Sequence, residues 1–298
     1  MSENLKLPAY GGQALIEGVL MRGKNYLAAS FRKPDGSIET VTEELTGIYK
    51  TSIRKIPFLR GLIMLWDSLV LGTKYLTISA NMQSEEEEKI EGTSLALTLL
   101  FSVVVFIAVF FLIPSAIGHG FEQWFHISTW WSNVVEGIIR LLFVIGYIWL
   151  VGKMDDIERV FQYHGSEHKT INTFEAGKPL TVESVQEASL VHPRCGTSFL
   201  LTLVIISVFV FALVGPQTVL IRLLSRIILL PVIIGVAYEY IRFTSNHLDS
   251  KFIRWLMVPN LALQKLTTRP PEDSMIEVAL AAFNAMYALE NGSEEAVN

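Results

Sequence analysis

Hydrophobic and polar positions divide the chain into stretches of distinct pattern. Four apolar runs, Thr93 to Ile117, Val135 to Val151, Thr197 to Val214 and Val219 to Tyr238, approach the length of about 20 residues that a helix needs to cross a bilayer. Residues 58–80 (FLRGLIMLWDSLVLGTKYLTISA) are nearly as long but contain Arg60, Asp67 and Lys74. That mixture predicts an amphipathic helix lying on a membrane or against the bundle. Further upstream, QALIEGVLMRG and NYLAASFRKPDGSIETVTEEL mix β-branched and apolar residues around an Asp35-Gly36 turn, which predicts a small sheet built from hairpins. Helical periodicity returns in the alanine-rich tail from Ser274 to Glu290.

These patterns predict a mainly α fold: a polytopic membrane protein with about four transmembrane helices, a small N-terminal β-containing region and a cytoplasmic loop module. The expected divisions are a β-containing region at 1–57, the membrane-associated helix at 58–80 and an acidic linker at 81–92. A first transmembrane pair at 93–152 and a loop at 153–196 follow, then a second pair at 197–240 and a helical tail at 241–298.

Composition agrees with this class. The chain is 51% hydrophobic and 18% charged, too apolar for an ordinary water-soluble protein. Its formal charge of -5 is inflated by the run Glu85 to Glu88 and argues against a nucleic-acid partner. The start, MSENLKLPAY, lacks the basic region and apolar core of a signal peptide, so targeting falls to the first apolar span. Eleven Lys and Arg precede that span, none lies in the connection 118–133, and five lie in 152–196. Positive loops stay on the cytoplasmic side, which predicts a multi-pass cell-membrane protein with both termini cytoplasmic and Trp124, Trp130 and Trp131 as an outer belt.

The segment FQYHGSEHKTINTFE then falls in a long cytoplasmic connection. His164, Glu167 and His168 stand at i, i+3 and i+4, one face of a helix, and match H-x-x-E-H. In that pattern two neutral imidazoles hold a divalent metal such as zinc while the carboxylate between them serves as the base. The alternative is a polar helix face at the membrane boundary. HPRCGTSF adds His192 and Cys195 in the same connection, an imidazole and a thiol that suit a zinc-like ion. Glu239 in VAYEYIRF is a further candidate ligand, with pairing to Arg242 as its plain alternative. Glu17 lies among glycines and apolar residues and needs a partner, for which Arg22 is one candidate. Docking of its segment on the His164 loop would make Glu17 a ligand or an orienting group. Within the apolar runs, Glu136, Arg140, Arg222 and Arg226 read as a structural ion-pair cluster.

GGQALIEGVLMRG, YHGSEHKTINTFE and HPRCGTSF resemble the hallmark motifs of the DUF1385 (YqhQ-like) family of bacterial membrane proteins. The resemblance implies a metal-dependent enzyme and points to Glu17 and Arg22, to His164, Glu167, His168 and Glu175, and to His192, Arg194 and Cys195. Two classes of function follow: a metal-dependent hydrolase with Glu167 as base, or a scaffold or assembly factor whose metal site is closed and structural. A transporter is the weakest reading, because Thr93 to Ile117 holds no ionisable residue. The expected partners are the lipid bilayer, a membrane protein or lipid, and a second copy of the chain.

Overall fold

The N-terminal strands form where alternation meets tight turns. In this computed structural model, which describes residues 10–47, 56–84, 92–214 and 218–292, β1 (Gly11–Leu15), β2 (Gly18–Arg22), β3 (Tyr26–Arg32) and β4 (Ile38–Glu44) pair antiparallel in sequence order. Leu15 pairs with Gly18 across a two-residue turn in which Glu17 takes φ 50°. Gly36, at φ 85°, closes the β3–β4 hairpin at the expected Asp35-Gly36 turn.

Both faces of the central strands are covered. On one face Leu20, Leu27, Ala29 and Phe31 pack against Leu71 and Tyr75 of α1 (Leu59–Gln83). On the other, Val19, Met21 and Ala28 pack against Met275, Ala279 and Phe283 of α11 (Asp273–Glu290) and Tyr163 of α5 (Asp155–Glu175). The sheet is therefore the middle of three layers. The predicted amphipathic helix is α1: it buries Asp67, Leu71 and Tyr75 and leaves Trp66, Leu69 and Val70 exposed. It meets the bundle where Gly61 lies against Tyr238, and Gly235 against Phe58.

The apolar bundle departs from the predicted pattern of four spans. The first helix is longer, running from Gly92 to Phe125 through α2 (Gly92–Ile107), a π-helical turn (Ala108–Leu112) and α3 (Ile113–Phe125). Residues 118–125, expected in a connection, belong to it, and the reversal occurs at 126–128, where His126 takes φ 51°. The second is α4 (Thr129–Val151). The expected fourth span is broken: α8 (Val219–Ile228) and α9 (Leu230–Ser245) meet at 43°, with Pro231 at the start of α9. The third expected span, α7 (Thr197–Ala212), is apolar but only 16 residues long. Among the described residues two helices, or three if the bent pair counts as one, are long and apolar enough to cross a membrane.

Charges buried in this bundle form one network. Glu136 of α4 accepts from Arg140 at 2.7 Å and from Arg226 at 2.9 and 2.7 Å, while Arg222 bonds Glu122 at 2.8 Å. Arg140 also donates to the Phe110 carbonyl in the π-helical turn, at 2.9 Å. The predicted ion-pair cluster is thus the junction of α3, α4 and α8. Residues 85–91, most of the acidic linker, lie outside the described residues.

Candidate metal centre

Between α4 and α7 lies α5, one unbroken helix through His164-Gly165-Ser166-Glu167-His168, followed by the short α6 (Val182–Gln186) and an irregular segment that delivers Cys195. Gly165 is explained by what it faces: a Cβ there would collide with the Arg269 carbonyl oxygen. The segment after α10 (Lys251–Thr267) therefore passes α5 at backbone distance.

That close passage also orients the first imidazole. His164 Nδ1 is 2.8 Å from the Thr267 carbonyl, and His168 Nδ1 is 2.7 Å from the Leu190 carbonyl. A carbonyl can only accept, so both Nδ1 atoms carry a proton, and in the neutral imidazole the lone pair is then on Nε2. His164 Nε2 lies 3.2 Å from Cys195 Sγ, whereas the buried His168 Nε2 has no hydrogen-bond partner. The three ligand atoms lie within 4.8 Å of one another. A tetrahedral zinc-like ion with bonds of about 2.0–2.3 Å brings its donors to about 3.5 Å apart. The His164–Cys195 pair already stands near that spacing, and the orphaned Nε2 of His168 supplies a third donor of suitable chemistry. Carbonyl-anchored imidazoles are the usual outer support of histidine ligands.

Glu167 belongs to the same group without closing it. Its Oε2 is 3.9 Å from each of the two Nε2 atoms. Burial pushes its carboxyl above the ordinary range, opposed by the nearby His164 and His192 and by a hydrogen bond from the Gly12 backbone. A Cβ on Gly12 would meet the Glu167 side chain at 2.7 Å, so strand β1 docks on the helix through a residue without a side chain.

The other expected residues sort differently. His192 is buried and its pKa is lowered by burial; its Nε2 lies 3.6 Å from Glu175, which also pairs with Arg194. It stands outside the His164, His168 and Cys195 group. Glu239, read as a candidate ligand, accepts instead from Arg60 Nε at 2.6 Å and from the Phe58 backbone at 3.1 Å. The cation on α1 takes it, in place of a metal or Arg242. Glu17 does not reach the group either: it accepts from Arg159 at 2.5 and 2.7 Å and from Tyr163, the residue before His164, at 3.1 Å. Arg22 pairs with Asp67 of α1 and not with Glu17. The hairpin therefore docks on α5 as expected, but Glu17 steadies the helix from its outer edge. Asp67 stands out in the sequence only as a charge in 58–80, and neither Arg159 nor Gln264, which bonds both backbone groups of His192 at 3.0 and 2.8 Å, stands out at all. Each is one of many charged or amide residues on a helix, with no local signal of its own.

The fold and this cluster define a class: an apolar helical bundle joined to a small sheet-and-helix layer that presents two histidines and a cysteine as a potential metal group. A family described as "Protein of unknown function (DUF1385)" matches residues 56–289, and the chain belongs to it. The "Uncharacterized protein YqhQ" of Bacillus subtilis (strain 168) is 37% identical over 310 residues, covering 99% of this chain and 97% of the relative. The sheet lies upstream of the family match but within the span shared with that relative. No solved structure matches the chain.

Proposed function

We propose that the protein is a metal-dependent hydrolase of the cell membrane whose site faces the cytoplasm. His164, His168 and Cys195 would hold a zinc-like divalent ion. When bound, such an ion polarises water and the oxygen of the bond to be split. Glu167 would accept the proton from the attacking water. Burial raises the pKa of its carboxyl, the direction that suits a proton acceptor. The observation that carries the reading is the donor set: three ligand atoms converge, and a carboxylate stands 3.9 Å from both imidazoles beside them.

Glu167→Gln tests it. The amide preserves shape but cannot accept a proton, so the variant should retain bound metal and thermal stability while failing to complement a deletion strain. Full complementation with metal retained would overturn the hydrolase.

A closed structural site is the second reading, favoured by His192. Its Nε2 is buried without a hydrogen-bond partner, and its ring centroid is 5.7 Å from that of His168. A shift of the 190–195 segment would complete a His3Cys set. On that reading Glu167→Gln complements, and His192→Ala loses the metal.

A further inference from the structure

A polar seam of side chains bonded to one another packs α10 against α7 beside the metal group. The backbone carbonyl of Thr267, at the end of α10, accepts a hydrogen bond from His164 Nδ1. One turn back along α10 the fully buried Gln264 donates to Ser198 of α7 at 2.9 Å. Another turn back, Asn260 donates to Thr202 of α7 at 3.1 Å. The spacings 260, 264, 267 and 198, 202 place these residues on facing stripes of the two helices.

The seam ends at a cleft of about 210 Å³ between α7, α9 and α10. Thr202 and Asn260 are buried at its floor, and Ile206, Phe209, Tyr240 and Leu256 are among its walls. Thr202 is five residues beyond Thr197, where α7 begins just after Cys195, about 8 Å along the helix. No lining residue bears a formal charge. The rim continues into outward apolar faces: Ile205 and Phe209 on α7, Phe243 on α9, Trp255 and Val258 on α10, with Phe209 66% exposed. In a chain whose other helices are fit to cross a bilayer, hydrocarbon is the medium that covers such faces.

We propose that this cleft takes one acyl chain of a membrane lipid, whose polar end then lies toward the Cys195 end of α7. This rests on the metal-site reading and names its substrate class, an amphiphile drawn sideways from the bilayer. The uncharged walls suit a hydrocarbon chain, and Thr202 and Asn260, whose polar groups are bonded to each other, close the floor that the chain reaches.

The test uses the full chain in phosphatidylglycerol vesicles containing an analogue with a diazirine on its acyl chain. After irradiation, adducts are mapped by mass spectrometry and metal content is measured on the same sample. Adducts are expected at the buried Thr202 or Asn260 as well as on exposed Phe209. Ile206→Trp, or Leu256→Phe if that variant does not fold, should remove the floor adducts and keep those at Trp255. Adducts confined to exposed residues would overturn the proposal. The two readings separate cleanly: floor adducts in metal-free protein keep the lipid cleft and remove the metal site, whereas bound metal without floor adducts does the reverse.

Discussion

At the scale of single residues, the chemistry depends on groups that fix side chains they do not resemble. The Thr267 and Leu190 carbonyls set the tautomers of His164 and His168, and Gly165 and Gly12 let backbone approach where any side chain would collide. Glu17 occupies a left-handed backbone position, uncommon for a residue with a side chain, and its carboxylate is tied to Arg159 and Tyr163 on α5. The hydrogen bond from Arg159 holds that carboxyl below the ordinary 4.5 of a glutamate, against an opposing effect of burial. Because the folded carboxyl ionises more readily than the unfolded one, its stabilisation is complete above the ordinary value and fades as pH falls through the lower, folded one. Glu17→Gln should therefore be less stable than wild type at pH 7 by denaturant unfolding, with the difference shrinking below about pH 4. A difference that grew on acidification would contradict the tie. The histidines and Glu167 were legible as a trio because i, i+3, i+4 spacing is a property of one helix. Carbonyl partners were not, since any residue can supply a carbonyl.

At the scale of elements, legibility followed the same boundary. H-x-x-E-H reads as one face of α5, and Asp35-Gly36 reads as a turn, because both are local patterns. Cys195 and His192 are three residues apart in an irregular segment, so only its path decides which reaches His164. Glu239 was misplaced for a related reason: nothing in its neighbourhood announces that Arg60, 179 residues away in sequence, crosses α9 there. The broken α8–α9 pair has a clearer physical cause. Pro231 interrupts the helix, and Arg222 and Arg226 are drawn to Glu122 and Glu136 rather than toward lipid. Glu136→Ala would leave Arg140 and Arg226 buried without their shared carboxylate. Removing one member of a buried ion network costs about 3–5 kcal/mol, and the loss should appear as a large drop in the thermal midpoint of the detergent-solubilised protein. An unchanged midpoint would show that the network does not hold α4 and α8 together.

At the scale of the whole molecule, the three-layer module and the apolar bundle are joined by α1 and by the α5–α10 contact, which places the candidate metal centre beside the bundle. The orientation proposed from the loop charges makes a direct prediction. A cysteine replacing exposed Ser128, at the Trp-rich reversal, should react with an impermeant thiol reagent on intact cells, and one replacing exposed Lys178, after α5, should react only in broken cells. Labelling in the reverse pattern would move the site to the outer face. The central claim remains the open His2Cys group, and X-ray absorption of the purified, zinc-loaded protein measures it most directly. The account predicts one equivalent of zinc with a single sulfur at about 2.3 Å, two imidazoles, and one further light donor that is not an imidazole. A third imidazole in the shell, or no stoichiometric zinc, would contradict it.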